Sequence, residues 1–230
     1  MRFWEVDFFR GIAIVFMLLF NWSFTLRFFD IFTISNSSFY WYVFPRMIAA
    51  SFIFIAGIAL TLNVKNRLKH GLTIFGLGLM ITVVTWIFFP AYYIRFGILH
   101  LIGLSIILAI PLMKYTRLNL ILGAAITLIG MILQNFTFDF SWLLWLGFTP
   151  ANFVTFDYFP IIPWFGFMLL GIYFGKILYT NGKRNFRIPD YSKRISVKIM
   201  DFLGRNSLKI YLLHQPLLLL ILFSLGYLHL

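Results

Sequence analysis

Apolar runs of about 17 to 21 residues recur along the length of this chain, near the roughly 20 residues an α-helix needs to cross a bilayer. A strand crosses the same thickness in about 9–11 residues, so run length selects helices. Seven spans are expected, at about 9–29, 44–63, 71–89, 96–113, 118–134, 158–179 and 208–228. The breaks between them carry loop chemistry: SNSS at 35–38, NVKNRLKH at 63–70, Pro90, KYTRLN at 114–119, TPAN at 149–152, and a polar stretch from Thr180 to Arg205. The fold class is therefore an all-α integral membrane protein, a bundle of about seven transmembrane helices. The 230 residues read as one transmembrane domain, with a basic cytoplasmic loop at 180–207. Only 11% of residues are charged, where a soluble domain carries roughly a quarter. The first run has charged flanks like a leader but no small-residue cleavage site, and is read as a retained span. FSWLLWLGF, 140–148, is too short to span, and its tryptophans suit an interfacial or re-entrant piece.

Net charge is +12, a value that in a soluble chain would suggest nucleic acid. Here the location of the cations argues otherwise. Seven alternating spans place Arg2, Arg10, Lys65, Arg67, Lys69, Lys114, Arg117 and nine cations from Lys176 to Lys209 on one side, 16 in all. The other side receives Arg27, Arg46 and Arg95. By the positive-inside rule the N-terminus is cytoplasmic and the C-terminus outside, in a multi-pass protein of the cell membrane that binds lipids and no nucleic acid. Cysteine is absent and the four histidines are scattered, so no metal site is expected. GxGxxG, Walker, GxSxG and HExxH motifs are also missing, which removes the common soluble-enzyme chemistries.

An ionisable group at bilayer depth costs roughly 2.5–3.5 kcal/mol, so each one calls for a partner or a task. On the cytoplasmic side Asp7 and Arg10 are three apart on one helical face in EVDFFRG. Asn206 and His214 lie in LGRNSLKIYLLHQPLLL, where Pro216 leaves the Leu212 carbonyl without a donor, close to the imidazole. On the outer side are Arg46, Arg95, His100 and Asp157, with Asn21 at similar depth. Gly97 and Gly103 flank His100 at i−3 and i+3, so a helix or ligand could approach its face closely. A neutral imidazole there is an inexpensive buried group able to exchange a proton near neutral pH.

The ordered set VDFFRGIAIVFMLLFN, SFIFIAGIAL, RFGILHLIGLSIILA, FDYFPIIPWFGFMLLGIYFGK and LGRNSLKIYLLHQPLL resembles the catalytic-domain family of heparan-α-glucosaminide N-acetyltransferase, especially its short prokaryotic relatives. That resemblance implies transfer of an acyl group, acetyl above all, from cytoplasmic acyl-coenzyme A to a hydroxyl or amine acceptor on the far side, often a sugar or glycan. The D-x-x-R-G motif falls on Asp7 and Arg10, F-G-I-L-H on His100, and N-S-x-x-x-Y-x-x-H on Asn206 and His214. Many relatives carry a histidine near the outer end of the first span, where this chain has Asn21. Either His100 takes that role or the activity is lost. Asp7, Arg10, Arg46, Asn206 and His214 then become candidate donor-binding residues, beside the cations of KRNFR at 183–187 and SKR at 192–194. His100 becomes the base or acyl carrier, Asp157 its orienting group, and Arg95, Asn21 or Arg46 the oxyanion partner. The alternatives are a proton-coupled small-solute transporter and a structural membrane protein. A monomer and a homodimer are both open.

Overall fold

The computed structural model describes residues 3–32, 37–62, 65–180 and 182–227. Arg2, Ser35, Asn36, Asn63, Val64, Asn181 and His229, each within a sequence reading above, lie outside the described residues. The architecture is all-α: α1 (Trp4–Phe28), α2 (Phe44–Leu62, led by a π-helical turn at Phe39–Val43), α3 (Arg67–Phe88), α4 (Ile98–Ala109), α5 (Thr116–Leu133), α6 (Ile161–Leu178), α7 (Ile195–Arg205) and α8 (Ser207–Ser224). Six of these, all but α4 and α7, are long and apolar enough to cross a membrane. A two-stranded antiparallel hairpin, β1 (Tyr179–Thr180) with β2 (Lys183–Arg184), follows α6.

Two expected elements take a different form. The fourth run is α-helical over only 12 residues, about 18 Å at the ordinary rise, because Pro111 ends it in a 3₁₀ turn. The stretch from Thr180 to Arg205, expected as an open polar loop, holds the hairpin and α7. The charges of α7 at Lys198, Asp201 and Arg205 fall at three- and four-residue spacing, the period of one helical face. The segment 140–148 forms consecutive turns with a positive φ of 130° at Gly147, and no helix.

The chain folds as two compact units, residues 53–187 and residues 2–52 with 188–230. In the first unit α4 is the core element. Leu99, His100, Leu101, Ile102, Gly103, Ser105, Ile106 and Ala109 are all buried along it, and Met168, Leu169 and Ile172 of α6 are fully enclosed. Small residues set the helix spacing, as expected where lipid gives no hydrophobic drive to association. A Cβ on Gly166 of α6 would stand 2.6 Å from the Gly123 carbonyl of α5, and one on Gly71 of α3 would stand 3.0 Å from the Gly103 carbonyl of α4. The segment before α6 runs beside the segment before α4. The Phe156 and Phe159 amides donate to the Tyr92 and Phe96 carbonyls at 3.0 Å each, which carries Asp157 to the start of α4.

In the second unit α1 and α7 cross at backbone contact. A Cβ on Gly11 would overlap the Met200 carbonyl, and one on Gly204 would overlap that of Asp7. Glu5 and Asp7 lie in the first turn of α1, where acids favour the helix dipole. α8 joins α1 through a polar chain in which the Gln215 amide donates to Thr25 Oγ1 at 2.8 Å and Thr25 donates to the Asn21 carbonyl at 2.9 Å.

Candidate functional site

His100 sits in the first turn of α4 and is 2% exposed. The Gly97 amide donates to its Nδ1 at 3.2 Å, closing a capping interaction at the end of the helix. A backbone N–H can only donate, so Nδ1 is unprotonated and the neutral ring carries its proton on Nε2. That proton points to Thr82 Oγ1 of α3 at 3.2 Å, and the threonine hydroxyl donates onward to the Ile94 carbonyl at 2.7 Å. The ring also meets Phe75 edge-on at 5.6 Å and lies tilted 5.4 Å from Phe96. On its other side is bare backbone, where a Cβ on Gly78 would come within 3.0 Å of Cγ and Nδ1. The imidazole is thus enclosed and saturated, holding the start of α4 against α3.

The neighbouring glycines serve the same packing. Gly103 lies against the Phe75 backbone, and a Cβ on Gly97 would strike the Asp157 carboxylate, so the approach they leave is filled by protein rather than by open space. Asp157 does not orient the imidazole as the sequence suggested, because both ring nitrogens have other partners. Its Oδ2 accepts the Ile98 amide at 2.9 Å, a charged cap supplied from 59 residues away. Arg95 is exposed, with its guanidinium 4.9 Å from the Tyr93 ring and 5.3 Å from Phe153, in the manner of an interfacial cation.

The second unit carries a charged cluster where α1 meets α7. Asp7, 7% exposed, takes Arg10 on Oδ1 at 3.2 Å. It takes Arg205 on Oδ2 at 3.7 Å, and Arg205 also bridges Asp201 at 2.7 Å. The sequence paired Asp7 with Arg10 correctly. Arg205 and Asp201 escaped notice because their stretch read as loop, although their i,i+4 spacing is a helical signal. The side chains of Arg10 and Arg205 are 21% and 46% exposed.

Asn206 sits at the junction of α7 and α8, and its amide donates to the Phe202 carbonyl at 2.9 Å, satisfying the end of α7. His214 is buried in α8 and pairs Nδ1 with the Tyr211 carbonyl at 2.6 Å, one residue short of the Leu212 carbonyl expected from Pro216. Asn21 directs its amide to Met17 Sδ at 2.8 Å, and Arg46 folds back onto Tyr42, hydrogen-bonded to its carbonyl at 2.7 Å and stacked 3.6 Å from its ring. The residues brought together are therefore His100 with Asp157 at the start of α4, now joined by Thr82, and Asp7 with Arg10, now joined by Arg205. Among the described residues no three of His, Cys, Asp and Glu converge.

The sequence model of the catalytic region of heparan-alpha-glucosaminide N-acetyltransferase matches residues 2–216. No curated protein and no solved structure matches the chain. The matched region runs from the first span through α1, the α4 cap and His214, so it contains both polar clusters. This chain belongs to the heparan-alpha-glucosaminide N-acetyltransferase catalytic family, a family of membrane acetyltransferases.

Proposed function

We propose that this protein moves an acyl group, acetyl by family likeness, from acyl-coenzyme A in the cytoplasm to a hydroxyl or amine of a sugar or glycoconjugate outside. The family match over residues 2–216 carries this reading. The orientation, with a cytoplasmic N-terminus and the C-terminus outside, rests on the bias of Lys and Arg among the loops. Donor binding is assigned to the second unit, where Arg10 and Arg205 present guanidiniums to an anionic ligand, with Asp7 holding both; Asn206 and His214 shape the start of α8.

Acyl transfer is assigned to the start of α4. The acceptor takes the place of the Thr82 hydroxyl at His100 Nε2 and loses its proton to the ring as its oxygen or nitrogen bonds the acyl carbon. The carbon–sulfur bond breaks, and the thiolate takes the proton to leave as free coenzyme A. Nε2 must first give up its own proton for one on Nδ1, which breaks the Gly97 capping bond and leaves that buried amide unpaired, at a cost of about 1–3 kcal/mol. Arg95 supplies positive charge at this end of the helix for the oxyanion, and Asp157 keeps the helix start fixed while the ring changes tautomer. Purified protein given labelled acetyl-coenzyme A and an amino sugar is expected to release free coenzyme A and labelled sugar; no release with a range of amine and hydroxyl acceptors would contradict the reading. A second reading, that His100 only caps α4, is favoured by the saturation of both ring nitrogens.

A further inference from the structure

The first turns of α1 and α7 border an open groove of about 600 Å³. That is within the ~300–1,000 Å³ range of ligand pockets. Trp4, Phe8, Ile12, Tyr191 and Met200 make its walls apolar, and Arg194 is its cation. Arg194 is held in place, its guanidinium 4.4 Å from the Tyr191 ring, and Tyr191 meets Trp4 edge-on at 6.3 Å. α7 has three distinct faces. Val197 and Gly204 are buried on one, while Lys198, Asp201 and Arg205 lie along another. Ile195, Ile199 and Phe202, at i, i+4 and i+7, form a third that is 74%, 50% and 64% exposed. A short helix with an exposed apolar stripe beside a cationic one is built to lie in a membrane surface. α1 is long and apolar enough to cross the membrane, which sets its first turn, with Trp4, at that same level.

We propose that the groove binds an anionic glycerophospholipid, with one acyl chain along Trp4, Phe8, Ile12 and Met200 and the phosphate against Arg194. The apolar lining selects a chain, and the stacked guanidinium on the phosphate favours a head without a cation of its own over one that carries a quaternary ammonium. Bound there against Ile199 at the groove edge, the lipid fixes α7 in the interface with Ile195 and Phe202 among neighbouring acyl chains. Native mass spectrometry of the full chain in neutral detergent, titrated with phosphatidylglycerol or phosphatidylcholine, tests this without any acyl donor, so its outcome is separate from that of acyl transfer. One phosphatidylglycerol is expected to be retained, about tenfold tighter than phosphatidylcholine. Arg194→Gln and the groove-filling Ile12→Trp should each weaken retention about tenfold, while Lys198→Gln, on α7 but outside the groove, leaves it unchanged. Should Ile12→Trp not fold, the exposed Arg194→Gln substitution decides. Equal retention of the two lipids, undiminished retention by Arg194→Gln, or an equal loss in Lys198→Gln would overturn the proposal.

Discussion

The polar cluster at the start of α4 and the one at the start of α1 solve the same problem in opposite ways. Around His100 the side chains serve the backbone: the imidazole accepts the Gly97 amide, Thr82 donates to the Ile94 carbonyl, and Asp157 accepts the Ile98 amide. Around Asp7 side chains serve one another, and both arginine side chains are partly exposed. The first arrangement is dry and saturated, so any chemistry there must first break a bond that positions a helix. The second is built from side-chain ion pairs, so a change there leaves the backbone hydrogen bonds of its helices intact.

The contrast yields graded expectations. His100→Ala should be the most damaging change, costing about 2–4 kcal/mol in a detergent unfolding titration, because it strands the Gly97 amide, removes the partner of Thr82 and opens a cavity beside Gly78. Asp157→Ala should cost about 1–2 kcal/mol in the same titration through loss of the cap on Ile98. Asp7→Asn should cost about 1 kcal/mol, since Arg10 and Arg205 retain access to water. Its larger effect should be on donor affinity, read as a several-fold rise in KM for acyl-coenzyme A. If Asp7→Asn proved more destabilising than His100→Ala, the division between a structural and a binding cluster would fail.

Six of the seven expected spans were legible as long apolar helices, because run length measures bilayer thickness directly and about 20 apolar residues in sequence leave few alternatives. α7 was not, since its apolar residues are interleaved with Lys198, Asp201 and Arg205, and mean polarity hides a three-faced helix. His100 was recognised as anomalous, but its partners were not. Thr82 is 18 residues away and Asp157 lies 59 residues from the amide it caps, and no local spacing encodes such pairings. The glycines flanking His100 were correctly read as a close approach; what approaches is α3 and the Asp157 carboxylate. For His214, the freed Leu212 carbonyl marked the right turn of α8, while the imidazole pairs with the carbonyl one residue earlier, that of Tyr211.

His100→Asn separates proton transfer from helix capping most directly. The amide oxygen stands two bonds from Cβ, as Nδ1 does, so it can accept the Gly97 amide, yet it takes up no proton near neutral pH. Acetyl transfer from labelled acetyl-coenzyme A and the melting temperature should be measured on the same purified preparations. A catalytic His100 predicts a melting temperature within a few degrees of the parent protein and a rate at least ~100-fold lower. A rate within a few-fold of the parent at that melting temperature would contradict the account and leave His100 as a cap alone.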